Sequence, residues 1–209
     1  MATILRDWSY RYQWLYDSIS RLAALSVGGE GRMRSLALEN LESTPTLQVL
    51  DLCCGSGQNT RYLLQKFPQV TGLDASPRSI QRAQQNVPAA TFVEGWAEAM
   101  PFADAQFDLV HTSLALHEMK ADQLRQILQE VHRVLKPGGI FACIDLHQAT
   151  NPLLRPGLSL FLFLFETETA AQLLQTNLPE LLQEKGFVIQ RHTLHAGGSL
   201  QVIQAQKGA

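Results

Sequence analysis

Val49-Leu50-Asp51-Leu52-Cys53-Cys54-Gly55-Ser56-Gly57-Gln58 is the stretch that decides the fold. Its first half is a short apolar run, as a buried parallel strand requires. Its second half turns through two glycines into residues of helical pattern, Thr60 to Lys66. A chain turning this way beneath a ligand needs positions without a Cβ so that the backbone can approach. Free N–H groups at the following helix start then favour a carboxylate. Gly55 and Gly57 supply those positions. A Gly-x-Gly turn alone is shared by all dinucleotide folds. Asp74 sharpens it, because it ends a second apolar run, Val70-Thr71-Gly72-Leu73-Asp74, 17 residues beyond Gly57. A carboxylate there can accept hydrogen bonds from both ribose hydroxyls of an adenosine.

Outward from that core the same alternation repeats. Ser76-Pro77 offers an N-cap followed by proline at the first helical position. Thr91-Phe92-Val93 and Phe107 to His111 read as a third and a fourth strand. A helix follows with Leu124, Ile127, Leu128, Val131, Val134 and Leu135 on one face, and Pro137-Gly138-Gly139 turns it into a fifth strand, Ile140 to Leu146. Phe187 to Leu194 and Leu200 to Gln206 form a closing strand pair around Gly197-Gly198. Upstream, Trp8, Tyr12, Leu15, Ile19 and Leu22 recur at helical spacing until Gly28-Gly29, and a second helix is expected near Arg32 to Leu41. Repeated β-α units imply a parallel sheet with helices on both faces and ligands beyond the C-terminal strand ends. The expectation is one α/β domain over residues 1–209, with a helical cap at 1–44 and a substrate-side insert at 147–178.

Composition narrows the partners. With 209 residues and 45% hydrophobic content the chain can fill one core. A formal net charge of −2 gives no basic field for a phosphate backbone, which argues against nucleic acid. The N-terminus shows no secretory pattern, and the longest apolar run, Leu158 to Phe165, is far short of the roughly 20 residues that span a bilayer. Three cysteines (Cys53, Cys54 and Cys143) make no disulfide framework and no metal spacing, so a reducing, cytoplasmic setting is expected.

Asp51-Leu-Cys-Cys-Gly-Ser-Gly57, Gly72-Leu-Asp-Ala-Ser76, Glu94-Gly-Trp-Ala-Glu-Ala-Met-Pro-Phe102, Phe107-Asp-Leu-Val110 and Leu135-Lys-Pro-Gly-Gly139 resemble the successive motifs of class I S-adenosylmethionine (SAM)-dependent methyltransferases, in order and spacing. The resemblance covers roughly residues 47–146. Within the class it is nearest the ubiquinone/menaquinone C-methyltransferase branch, through the Asp51 to Gly57 wording and the Ala97 to Phe102 segment. It implies a Rossmann-like, mostly parallel seven-stranded sheet with a C-terminal antiparallel hairpin, and SAM as cofactor. Asp51 would orient the methionine amine above the backbone of Cys53 and Gly55, with Gly57 completing the turn. Asp74 would hold the ribose, Ala75 would lie along the adenine, Ala97 would offer its N–H to an adenine nitrogen, and Ser113 would meet the methionine end. Two positions depart from the pattern. Cys53 stands where glycine is usual, which requires a negative φ. Trp96 replaces the acidic residue that contacts the adenine amino group, and its indole either covers the adenine or points outward. A rival NAD(P) dehydrogenase fingerprint would want a third glycine where Thr60 stands.

Methyl transfer needs an aligned acceptor, exclusion of water and removal of a proton. His117 and His147, following strands four and five, are the candidate bases, each weighed against a surface or supporting role. Glu118 is a weaker candidate. His111 and His132 read as structural, and His192 and His195 as solvated. The aromatic residues Trp8 to Tyr16 and the run Leu158 to Phe165 are candidates for an apolar acceptor pocket, or for packing on each other or in a dimer contact. The partner implied is a small hydrophobic acceptor such as a prenylated quinol, with peripheral membrane contact if it is lipid-like. O- or N-methylation of another metabolite, a SAM-binding protein without turnover, and any oligomeric state stay open.

Overall fold

The computed structural model describes residue 24 and residues 27–151 and 168–208. The aromatic N-terminal segment and the Leu158 to Phe165 run lie outside the described residues. Among the described residues six α-helices and seven strands have defined bounds. In chain order they are α1 (Glu30–Ser35), β1 (Gln48–Leu52), α2 (Gln58–Lys66), β2 (Gln69–Asp74), α3 (Pro77–Asn86), β3 (Thr91–Glu94), β4 (Phe107–Ser113), α4 (Ala121–Val134), β5 (Leu135–Leu146), α5 (Glu168–Gln175), α6 (Leu178–Glu184), β6 (Phe187–His195) and β7 (Leu200–Lys207). The second helix expected near Arg32 is shorter than the sequence suggested, because α1 tightens into a 3-10 turn at Leu36–Leu38.

One sheet runs in the order β3-β2-β1-β4-β5-β7-β6. The strands β1 to β5 are parallel, and β7 pairs antiparallel with both β5 and β6. The chain winds outward from β1 to β3, returns to the other side of β1 as β4, and winds outward again. The crevice between the ends of β1 and β4 is therefore the switch point, where bound ligands sit in such sheets. Both faces are covered, so β1 is buried from Val49 to Leu52 and β5 from Phe141 to Leu146. Leu50, Leu73, Val110 and Cys143 meet α4 and α6 on one face, and Val49, Val70, Leu109 and Ile144 meet Met33, Leu63 and Phe67 on the other.

Local signals explain the helix starts. The Ser76 hydroxyl caps α3 by accepting from Ser79 N–H at 3.2 Å, with Pro77 at the first position. Asn177 caps α6 in the same manner. Pro137-Gly138-Gly139 acts differently from a plain helix stop. It lies within β5, which starts directly at Leu135, and Gly138 adopts φ +76°. A Cβ on Gly139 would come 2.9 Å from the Lys136 carbonyl oxygen. That close approach demands glycine.

Candidate active site

The turn after β1 is built around Asp74. The Asp74 Oδ2 accepts from Gly55 N–H at 2.8 Å and Oδ1 from Ser76 N–H at 2.9 Å, while Cys54 N–H reaches the Leu73 carbonyl at 3.0 Å. These bonds stitch the β1 turn to the end of β2. A carboxylate has about four lone-pair sites, so two remain on Asp74 for vicinal hydroxyls. Gly55 has φ +54°, and a Cβ placed there would meet no atom within 4 Å. The cradle is open where the resemblance puts the methionine moiety. Gly57, at φ +79°, serves another purpose. A Cβ on it would lie 3.2 Å from Val87 and 3.4 Å from Ala83, so this glycine lets the turn pack on α3. Asn86 fastens the same turn by donating to the Ser56 carbonyl at 3.0 Å.

Cys53 corrects an expectation. Its φ is +57°, in the left-handed region, and not the negative value that a side chain at this position was thought to require. The conformation costs about 1–2 kcal/mol, and the clamp on either side imposes it. Burial, then the neighbouring Asp74 and Asp51 carboxylates, push the Cys53 thiol well above its usual range. Cys54 and Cys143 are buried and free as well, and burial raises both. None of the three offers a ready thiolate.

Asp51 points to the α2 face of the sheet and is 1% exposed. The Thr60 hydroxyl donates to its Oδ2 at 2.6 Å, and His111 Nδ1 lies 3.4 Å from its Oδ1. His111 also contacts the Asn59 amide at 2.9 Å. The register pairs Asp51 with His111 across β1 and β4, which is why a histidine read as merely structural belongs to the cofactor end. Ser113, the last residue of β4, has a covered hydroxyl with no hydrogen-bond partner. A covered orphan hydroxyl costs about 1–3 kcal/mol, which a polar ligand atom would recover. Around the adenine side, Ala75 is half-buried and Ala97 buried. Trp96 is 63% exposed, and its indole is free to serve as a cover at this edge. The open cradle at Gly55, the spare acceptor capacity of Asp74 and the orphan Ser113 hydroxyl together fit SAM.

The two candidate bases sit at adjacent strand ends in different settings. His117 is buried in a short 3-10 turn after β4, with Nδ1 2.6 Å from Asp145 Oδ1. Asp145 is fully buried near the end of β5, and it also accepts from the N–H groups of Ala115, Leu116 and Leu146 at 3.1, 2.7 and 2.7 Å. Asp145 was missed from the sequence. The available signal was an acidic residue interrupting an apolar buried strand. His147 is half-buried and donates from Nδ1 to the Gly198 carbonyl at 2.8 Å, which ties it to the β6–β7 connection. Its ring lies 6.3 Å from that of His192, whose value is lowered first by burial and then by His147. Glu118 is exposed. Below the adenine side, Arg133 of α4 donates to Glu130, to the Met100 and Phe102 carbonyls and to Asp104. Glu130 in turn accepts from Met100 N–H at 2.8 Å. The turn that follows Ala97 is thereby held against α4.

Comparison with known proteins identifies the family and the fold. Residues 49–139 match the family described as "Methyltransferase domain". An uncharacterized methyltransferase of Synechocystis is 59% identical over 206 residues, covering 99% of this chain and 97% of that one. A 2-phytyl-1,4-naphtoquinone methyltransferase of Nostoc punctiforme is 30% identical over 219 residues, covering 92% and 94%. Among solved structures, a SAM-dependent methyltransferase from Methanosarcina mazei superposes with a TM-score of 0.62 at 24% identity, over 79% of this chain and 94% of the other. That likeness carries the fold.

Proposed function

Because this chain belongs to the class I SAM-dependent methyltransferases, we propose that it methylates a small hydrophobic acceptor, at a ring carbon of a prenylated quinol. The observation that carries the acceptor chemistry is His117, a buried imidazole gripped by Asp145 four residues beyond Ser113. Carbon methylation of a quinol requires a base, because the ring carbon becomes nucleophilic when a hydroxyl proton is removed. The similarity to the 2-phytyl-1,4-naphtoquinone methyltransferase supports the acceptor class. It extends past the 49–139 core, over 92% of this chain and 94% of that one.

In this account Asp74 holds the ribose hydroxyls, the open Gly55 turn admits the methionine moiety, and Asp51 and Ser113 orient its polar end. When bound, SAM supplies a methyl group on a positively charged sulfur, which leaves with the C–S electron pair. His117 takes the quinol hydroxyl proton, and His147 lines the acceptor side. The ring C–H proton is then lost as the aromatic ring is restored and the quinol oxygen takes back the proton held by His117, so that methyl replaces hydrogen and one proton is released in all. A long-chain acceptor would bring the protein to a membrane surface peripherally. Among the described residues no helix is long and apolar enough to cross a membrane.

Incubation with methyl-labelled SAM and a total lipid extract tests the proposal. Label in a C-methylated isoprenoid quinone is the expected result. Label only in O- or N-methylated water-soluble metabolites would refute the acceptor class, and no transfer at all would leave a cofactor-binding protein without turnover.

A further inference from the structure

We infer that Asp145 is the positioning residue for His117. It fixes the imidazole tautomer that leaves Nε2 as the basic nitrogen, so the two residues act as a dyad reaching from β5 to the turn after β4. The inference rests on the reading that His117 is the base, and deepens it.

The geometry is restrictive. A carboxylate only accepts hydrogen bonds and has about four lone-pair sites. On Asp145 the Oδ2 takes the N–H groups of Ala115 and Leu116, and Oδ1 takes that of Leu146. The remaining contact, 2.6 Å to His117 Nδ1, must therefore be a donation from Nδ1–H. That proton assignment puts the ring lone pair on Nε2. Asp145 is 0% exposed and His117 5%, so water does not compete for either group. Two of the four donors belong to the backbone that carries His117. The carboxylate thus sets the turn and the ring together, at the strand end where Ser113 stands.

Asparagine in place of Asp145 keeps an oxygen that can accept from Ala115 and Leu116 and gives up the bond from Leu146 N–H. Its amide nitrogen would instead face His117 Nδ1, and that donor would force the opposite tautomer. Asp145→Asn therefore separates the roles. Three measurements on the full chain decide the matter. The first is the 15N spectrum of the histidines, with His117 assigned by its loss in His117→Ala. The second is turnover on reduced 2-phytyl-1,4-naphthoquinone for Asp145→Asn, His117→Ala and the double variant. The third is SAM affinity of each.

The expected results are an Nδ1–H tautomer for His117 in the wild type and its inversion in Asp145→Asn. Each single variant should fall by about a hundredfold in turnover, with the double variant no lower than either and SAM affinity within about twofold. Multiplicative losses in the double variant, or an Nε2–H tautomer in the wild type, would overturn the dyad while leaving His117 as base. Full turnover by His117→Ala would remove the base itself, and the dyad with it. Should Asp145→Asn fail to fold, an Nε2–H tautomer in the wild type, or multiplicative losses when Asp145→Ala is combined with His117→Ala, would still overturn the dyad.

Discussion

Replacing Asp74 by alanine should separate cofactor affinity from folding. In the structure the carboxylate spends one lone pair of each oxygen on a backbone donor, Gly55 N–H at 2.8 Å and Ser76 N–H at 2.9 Å. The two remaining lone pairs face the place assigned to the ribose. Hydrogen bonds to a charged group are worth about 1.5–3 kcal/mol each, less the cost of desolvating the carboxylate, so losing the ribose pair should weaken SAM by roughly 2–3 kcal/mol. That is about a 30- to 160-fold rise in Kd. Folding loses less. Asp74 is half-buried at a strand end, and water can replace it at both N–H groups, so about 1–2 kcal/mol and a fall in Tm of roughly 2–8 °C are expected. Titration calorimetry with SAM and a thermal melt measure the two quantities. Unchanged affinity in a folded Asp74→Ala would refute the site. An equal loss of both would mean that Asp74 only stitches β1 to β2.

Gly55→Val should abolish measurable SAM binding, since its side chain fills the open cradle, while φ +54° adds only about 1–2 kcal/mol of strain. Normal binding by that variant would remove the cradle from the account. Arg133→Ala frees the turn after Ala97 and should cost about 2–3 kcal/mol, a Tm drop of roughly 4–12 °C, with a few-fold rise in SAM Kd. A melt unchanged within 1–2 °C, by the same conversion, would argue against the clamp. Burial, aided by Lys207 for His132 and by His147 for His192, lowers both histidines below the usual 6.5. The unfolded chain then binds more protons just below that value, so stability is full above pH 6.5 and declines as pH falls. Glu130 is held low, chiefly by its hydrogen bond to Arg133, so its contribution persists until the pH drops below the usual 4.5. Urea midpoints equal at pH 7.5 and 5.5 would contradict the histidine assignment.

What the sequence revealed followed from local constraints. Asp74 was legible because a strand end fixes where its side chain emerges, and Ser76-Pro77 because capping is a four-residue event. Gly55 and Gly57 were both visible as turn glycines. Only packing on Ala83 and Val87 shows that the second one serves the helix contact. Cys53 misled because a Cβ at positive φ is penalised locally, whereas the Asp74 clamp that imposes it comes from β2. His111 and Asp145 were illegible for the same reason at greater range. Their partners, Asp51 and His117, lie 60 and 28 residues away and meet only once β4 is inserted between β1 and β5.

The most direct measurement is transfer of labelled methyl from SAM to reduced 2-phytyl-1,4-naphthoquinone by the purified protein, with the product identified by mass spectrometry. The account predicts one methyl on the ring carbon per molecule of S-adenosylhomocysteine formed, and loss of that product in His117→Ala. Transfer to a quinol oxygen, or turnover indifferent to His117, would contradict it.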